Sequence, residues 1–328
     1  MTPVTLLCAA AALLAGLAGA PHTAAAAGEL RIGLAYSTSA APLMVARQKG
    51  WVEDELARAG RSDTVVRWFP FTAGPPVNEA MTAGQIDVGS MGDTPALIAR
   101  SSGLETVLFG ISSAGSRTQA MVVRTDSPVT SVKDLNGRKV AAAKGTTTHE
   151  LLGLILAEAG LRFSDVEFIN LPLSEMNVAL EKSTIDAAVV WEPLLTRLEA
   201  QGTVRILRDA TGLKNSVSVL VAMRPYAQTH PEEVRSVLRA LRRGARLLAD
   251  NPEEGARLVA ADLRLPPELI QRSVSRHNLA QPLTPAITDD IRQSERFLRD
   301  NALIRRPVDV DAFIDPAFSR SVFSEPIR

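Results

Sequence analysis

Gly84-Gln85-Ile86-Asp87-Val88-Gly89-Ser90-Met91-Gly92-Asp93-Thr94-Pro95 runs from a tight turn into an Ile-Asp pair, a stretch of small and apolar residues, an acid and a proline. The middle reads as a buried strand, bounded by turn residues. The end reads as the start of a helix, because Pro belongs in a first helical turn. Ninety-nine positions further on, Ser183-Thr184-Ile185-Asp186-Ala187-Ala188-Val189-Val190-Trp191-Glu192-Pro193 repeats the same order. Two matching helix–turn–strand–helix units imply two lobes of similar topology.

The flanking sequence extends this rhythm. Leu30 to Tyr36, Thr64 to Phe69 and Glu105 to Ile111 read as strands, with helices expected from Pro42 to Lys49, Pro75 to Ala83 and Pro95 to Ser102. A second set runs through strands from Gln119, Lys139, Val166, Ile185, Val204 and Val217, with helices from His149, Glu175 and Pro193. After Pro225 the pattern turns helical, clearest over Glu232 to Ala249 and Pro252 to Ala261. Such alternation predicts an α/β chain whose sheets are mixed, mostly parallel, and flanked by helices.

Bulk properties narrow the function. A length of 328 residues suggests about two domains. Lys plus Arg and Asp plus Glu are 36 each, and a neutral balance argues against nucleic acid as the main partner, leaving room for local basic patches only. The single cysteine, Cys8, lies in an Ala- and Leu-rich stretch from Met1 to Ala27 that ends in small residues. That stretch reads as an export signal, although no Lys or Arg precedes its apolar core. Gly16, Gly19 and Pro21 interrupt it and speak against a membrane anchor. The expected organisation is a signal peptide over 1–27, a first lobe over 28–121, a second over 122–217, and a return to the first over 218–328.

Ligands of open α/β sheets bind beyond the carboxyl ends of strands, where helix N-termini attract anions. Five such junctions stand out. Ser37 and Thr38 follow the first strand, and either cap a helix or hold a ligand. Gly74 allows a backbone to approach closely. Gly92, Asp93 and Thr94 follow the quoted strand; Asp93 either caps the next helix or faces the cleft. Thr146, Thr147, Thr148 and His149 form the best anion site, with Thr147 and Glu150 at capping-box spacing. His149 is as well explained by a structural role. Trp191 is placed to wall a pocket, and Glu192, a poor cap residue, is assigned to the cleft.

Catalytic patterns are missing. The sequence has no Gly-x-Ser-x-Gly elbow, no phosphate-binding Gly-Lys-Ser/Thr loop and no Gly-x-Gly-x-x-Gly turn. Its four histidines are scattered, so no metal set forms, and no cofactor is expected.

Phe71-Thr72-Ala73-Gly74-Pro75, Ile86 through Pro95, Lys144 through His149, Trp191-Glu192-Pro193 and Arg224-Pro225-Tyr226-Ala227 together resemble the aliphatic-sulfonate-binding proteins of ABC importers. These are similar to taurine and nitrate binders. The likeness spans about Leu30 to Asp315. It implies a two-lobed periplasmic-binding fold of the second type, closing on its ligand by hinge bending. It further implies a monomer in the periplasm that delivers a small organic anion, an aliphatic sulfonate, to an ABC permease. Contacts are implied at Gly92-Asp93, Thr147-Thr148-His149 and Trp191-Glu192. Two alternatives stay open: an enzyme on the same fold, or a binder of an amine-bearing ligand such as a pyrimidine, read by Asp93 and Glu192.

Overall fold

The computed structural model describes residues 28–327. The expected leader, with Cys8, lies outside the described residues. Eleven strands form two sheets. They are β1 (Glu29–Ala35), β2 (Val65–Phe71), β3 (Val88–Gly92), β4 (Thr106–Gly115), β5 (Gln119–Arg124), β6 (Lys139–Ala142), β7 (Glu167–Asn170), β8 (Ala187–Trp191), β9 (Val204–Asp209), β10 (Ser216–Met223) and β11 (Asn278–Leu279).

The first sheet has the order β2-β1-β3-β10-β4-β11 and the second β7-β6-β8-β5-β9. The five shared positions match. In each sheet three strands run parallel and the fourth is antiparallel to its neighbours. The repeated sequences therefore occupy the same place, β3 in one sheet and β8 in the other.

The repeat has a physical cause at each step. Gly84 takes a left-handed φ of 68° and Ser183 one of 55°, each just past a helix end. Gln85 N–H then reaches back to Ala80 O at 2.9 Å, and Thr184 N–H to Ala179 O at 3.0 Å. These bonds close the last helical turn and satisfy its carbonyls. Asp87 next accepts from Arg31 N–H at 2.9 Å and from the Arg31 guanidinium at 2.6 and 2.8 Å. Asp186 accepts from Lys139 N–H at 2.9 Å and from Arg138 at 3.3 Å. The aspartate of each Ile-Asp pair thus stitches the third strand in the order of its sheet to the second, β3 to β1 and β8 to β6.

Both faces of each sheet are covered. Along β10, Leu220 and Ala222 point into one apolar cluster and Val217, Val219 and Val221 into another. Along β5, Ala120 and Val122 part from Met121 and Val123 in the same way. This period of two, apolar on both sides, is what a fully buried strand requires.

The chain leaves the first sheet after Gly115 and enters the second at Gln119; it returns between Asp209 and Ser216. The expected lobe limits after residues 121 and 217 fall inside β5 and β10, and are corrected accordingly. Each of these strands pairs along its whole length within one sheet, because a ladder of hydrogen bonds holds a strand as a unit. Helix Trp51–Arg58 was not anticipated, and Pro267–Val274, Pro285–Asp300 and Pro316–Ser324 lie in the stretch after Pro225 that reads as helical without individual bounds. Among the described residues no helix is long and apolar enough to cross a membrane.

Replacing Asp87 by Ala removes a buried carboxylate and strands Arg31. We expect a loss of about 2–3 kcal/mol in urea unfolding. Asp186→Ala should cost less, since Asp186 and Arg138 are 35% and 39% exposed whereas Asp87 is 8% exposed.

Candidate functional site

The carboxyl ends of β1, β3 and β8 and the beginnings of the antiparallel β5 and β10 meet in one crevice between the sheets, with a cavity of about 50 Å³. Its wall contains hydroxyls (Tyr36, Ser37, Ser39, Ser90, Thr118, Thr146, Thr147, Ser216, Ser218), the Gln119 amide, the Trp191 indole and the His277 ring. Among the described residues that border it, no side chain carries a formal carboxylate, ammonium or guanidinium charge.

Three helices begin at this wall: Gly74–Thr82, Asp93–Ser101 and Thr147–Glu158. Their N-cap residues are Ala73, Gly92 and Thr146, and none makes a side-chain capping bond. The first-turn N–H groups of a helix have no partner within it and carry the positive end of its dipole. Pro75, Pro76 and Pro95 have no N–H to offer, Thr94 N–H is taken by Asp93 Oδ1 at 2.9 Å and His149 N–H by Thr146 O at 3.0 Å.

The expected site residues divide in two. Ser37, Gly74, Gly92, Thr146, Thr147 and Trp191 border the crevice. Thr38, Asp93, Thr94, Thr148, His149 and Glu192 are not among the residues that border it, and their side chains are engaged elsewhere. Thr38 Oγ1 is bonded to Ser273 Oγ at 2.7 Å, and Thr148 Oγ1 to Thr146 Oγ1 at 2.8 Å. His149 stacks on Phe168, with centroids 5.0 Å apart, and leans on Phe163. Burial, helped by Lys144, pushes its pKa down to about 4. The capping box also fails to form: Glu150 turns away from the helix start and accepts from Thr94 Oγ1 and Lys214 Nζ.

The two acids after the repeated strands are committed elsewhere. Asp93 Oδ2 lies 3.3 Å from Lys214 Nζ and accepts from Ser294 Oγ at 2.7 Å. Lys214 also pairs with Glu150 at 2.9 Å. Burial raises the pKa of Asp93; Lys214 opposes this and Glu150 adds to it. Burial pushes the pKa of Lys214 down, yet its two carboxylates hold it above the ordinary range. Glu192 accepts from Thr196 Oγ1 at 2.8 Å, Ser273 Oγ at 2.9 Å and Arg276 at 2.9 Å. Burial pushes its pKa up, against the pull of Arg276.

Several of these bonds join the lobes. Thr94 belongs to the first and Glu150 to the second; Glu192 belongs to the second and Ser273 and Arg276 to the first. Trp191 Nε1 donates to Tyr36 O at 3.0 Å, again across the gap. At Gly92 the lobes come so close that a Cβ would stand 2.5 Å from Thr147 Cγ2. Eight polar side chains of the wall were not among the expected site residues: Tyr36, Ser39, Ser90, Thr118, Gln119, Ser216, Ser218 and His277. Gln119, Ser216 and Ser218 sit at strand beginnings, where no ligand was sought. His277 comes from a helical region whose route back to the crevice carries no local motif.

The family described as NMT1/THI5 like matches residues 37–255. The chain belongs to the NMT1/THI5-like family. An Escherichia coli K12 protein named for binding aliphatic sulfonates is 29% identical over 285 residues, covering 84% of this chain and 89% of that protein. The taurine-binding periplasmic protein of the same strain is 28% identical over 209 residues, 63% of each chain. The alkanesulfonate-binding protein of Xanthomonas axonopodis pv. citri, solved with MOPS bound, superposes with a TM-score of 0.80 at 27% identity, covering 89% of this chain and 99% of that one. This member of the family therefore has the two-lobed fold of the periplasmic binding proteins.

Two outcomes follow for this family member. Gly92→Ala places a methyl group against Thr147 and should hinder closure. We expect ligand affinity to fall by about tenfold in calorimetry with the unfolding midpoint little changed, and Thr147→Ser to restore part of it. The second concerns pH. His149 is neutral when folded down to about pH 4, whereas an unfolded histidine binds its proton near pH 6.5. The unfolded state therefore takes up protons first as pH falls, and stability drops between about pH 6.5 and 4. By pH 5 the loss from this residue is about 2 kcal/mol, and His149→Phe should flatten that part of the urea-unfolding profile.

Proposed function

We propose that this chain is the extracytoplasmic solute-binding protein of an ABC importer and that it takes an aliphatic sulfonate between its lobes. The observation that carries the reading is the crevice itself. It is walled by neutral donors and by three helix starts without side-chain caps. A sulfonate spreads one negative charge over three oxygens. Several neutral donors suit it better than a single ion pair, and each charge-assisted hydrogen bond contributes about 1.5–3 kcal/mol. The names of the two E. coli relatives and of the Xanthomonas protein support the same ligand class.

The remaining parts of the proposal follow. Met1 to Ala27 directs export, and the protein works as a periplasmic monomer that hands its ligand to a membrane permease. It binds without transforming. Its named relatives are binding proteins, and the only cysteine is Cys8 of the leader. An amine-bearing ligand fits less well, because Asp93 and Glu192 are already held by Lys214 and Arg276.

A thermal-shift screen against alkanesulfonates, taurine, nitrate, sulfate and pyrimidines tests this. A sulfonate at 100 times its Kd should stabilise the protein by about 2.7 kcal/mol and be recovered unchanged by NMR. Sulfate should shift it little. Stabilisation by a pyrimidine alone would overturn the reading.

A further inference from the structure

Among the described residues, six buried side-chain polar atoms lack a hydrogen-bond partner: Arg61 Nε, Trp68 Nε1, Gln119 Oε1, Asn177 Oδ1, Ser236 Oγ and His277 Nε2. Of these, Gln119 and His277 alone belong to residues that border the crevice. They come from different lobes: Gln119 opens β5 of the second sheet, and His277 precedes β11 of the first. We propose that Gln119 and His277 are the pair that reads the ligand, each presenting an N–H to the same anionic head group from its own lobe. This rests on the anion-binding function proposed above.

Both side chains are free to do so because their other partners are hydroxyls. Gln119, 4% exposed, has its amide nitrogen 2.6 Å from Thr147 Oγ1 and bonded also to Ser216 Oγ. A hydroxyl accepts or donates with equal ease. Turning the amide over lets Thr147 and Ser216 donate to Oε1, and leaves the NH₂ for the crevice. The same choice exists at His277, whose Nδ1 lies 3.0 Å from Ser113 Oγ. With Ser113 as donor, the ring carries its proton on Nε2. An anion favours both arrangements; with no anion, neither is preferred.

The imidazole acts as a neutral donor. Burial, with Arg276 nearby, pushes its pKa down to about 3. The head group is thereby bound with no added cation in the wall. Since each lobe supplies one reader, the ligand makes both bonds only when the lobes are closed.

The test uses purified protein, with ethanesulfonate and taurine as probes in titration calorimetry. Gln119→Glu keeps the shape but cannot donate, and it places a like charge beside the anion. Affinity for both probes should fall by about a hundredfold or more. His277→Ala should lose about tenfold, and His277→Gln, which keeps an N–H, should recover part of it. Unchanged or tighter taurine binding by Gln119→Glu would mean that the amide offers its oxygen to the ligand's ammonium group, and would overturn the proposal.

Histidine ¹⁵N spectra of the unaltered protein give a readout that no folding defect can blur. Ethanesulfonate should fix His277 as the Nε2–H tautomer, and a ring that ignores bound ethanesulfonate refutes the assignment. If neither probe binds the unaltered protein, the anion-binding function itself fails. If they bind and the variants bind equally well, only this inference fails.

Discussion

Lys214 sits on the second crossing between the sheets, buried, with a carboxylate from each lobe against it. An ammonium out of water is costly, and removing one partner of such a set leaves an uncompensated charge. Asp93 and Glu150 therefore have to meet at this lysine, and their meeting brings the helices Asp93–Ser101 and Thr147–Glu158 together. On the far side of the crevice, Glu192 imposes a similar demand through Ser273 and Arg276. The charged groups hold the lobes in register, and none of them borders the crevice.

That division explains the character of the crevice. With the ions withdrawn into flanking networks, the wall is left to hydroxyls, an amide, an indole and a neutral imidazole. Helix starts supply partial positive charge without a counter-charge that a ligand would have to displace. Such a wall favours a singly charged head group with dispersed charge. The matching order of the two sheets is what aims both sets of helix starts at one point. Closure then assembles the site from halves that resemble each other.

Much of this was legible locally. The strands and helices of both sheets follow from apolar runs and turn residues, and the Ile-Asp echo marked equivalent strands because in both the aspartate meets the backbone of the neighbouring strand. Six of the twelve expected ligand residues border the crevice. These are residues at loop-to-helix junctions, whose position depends on the local chain path. Of the other six, Thr38, Asp93, Thr94 and Glu192 have distant partners, whereas Thr148 bonds to Thr146 and His149 packs on Phe163 and Phe168. Asp93 looked like a cap or a reader until Lys214, 121 residues away, claimed it. Glu192 was claimed by Arg276, 84 residues away.

By itself, then, the sequence determined the repeated strand units, their buried faces and the helix starts that gather at the strand ends, because these depend on neighbours within a few residues. Only the tertiary structure decided which acids are paired internally and which side chains border the crevice. Burial and pairing are properties of groups brought together across the fold. Gln119 and His277 share a wall because one strand and one distant loop meet there, and nothing in either local sequence encodes that meeting.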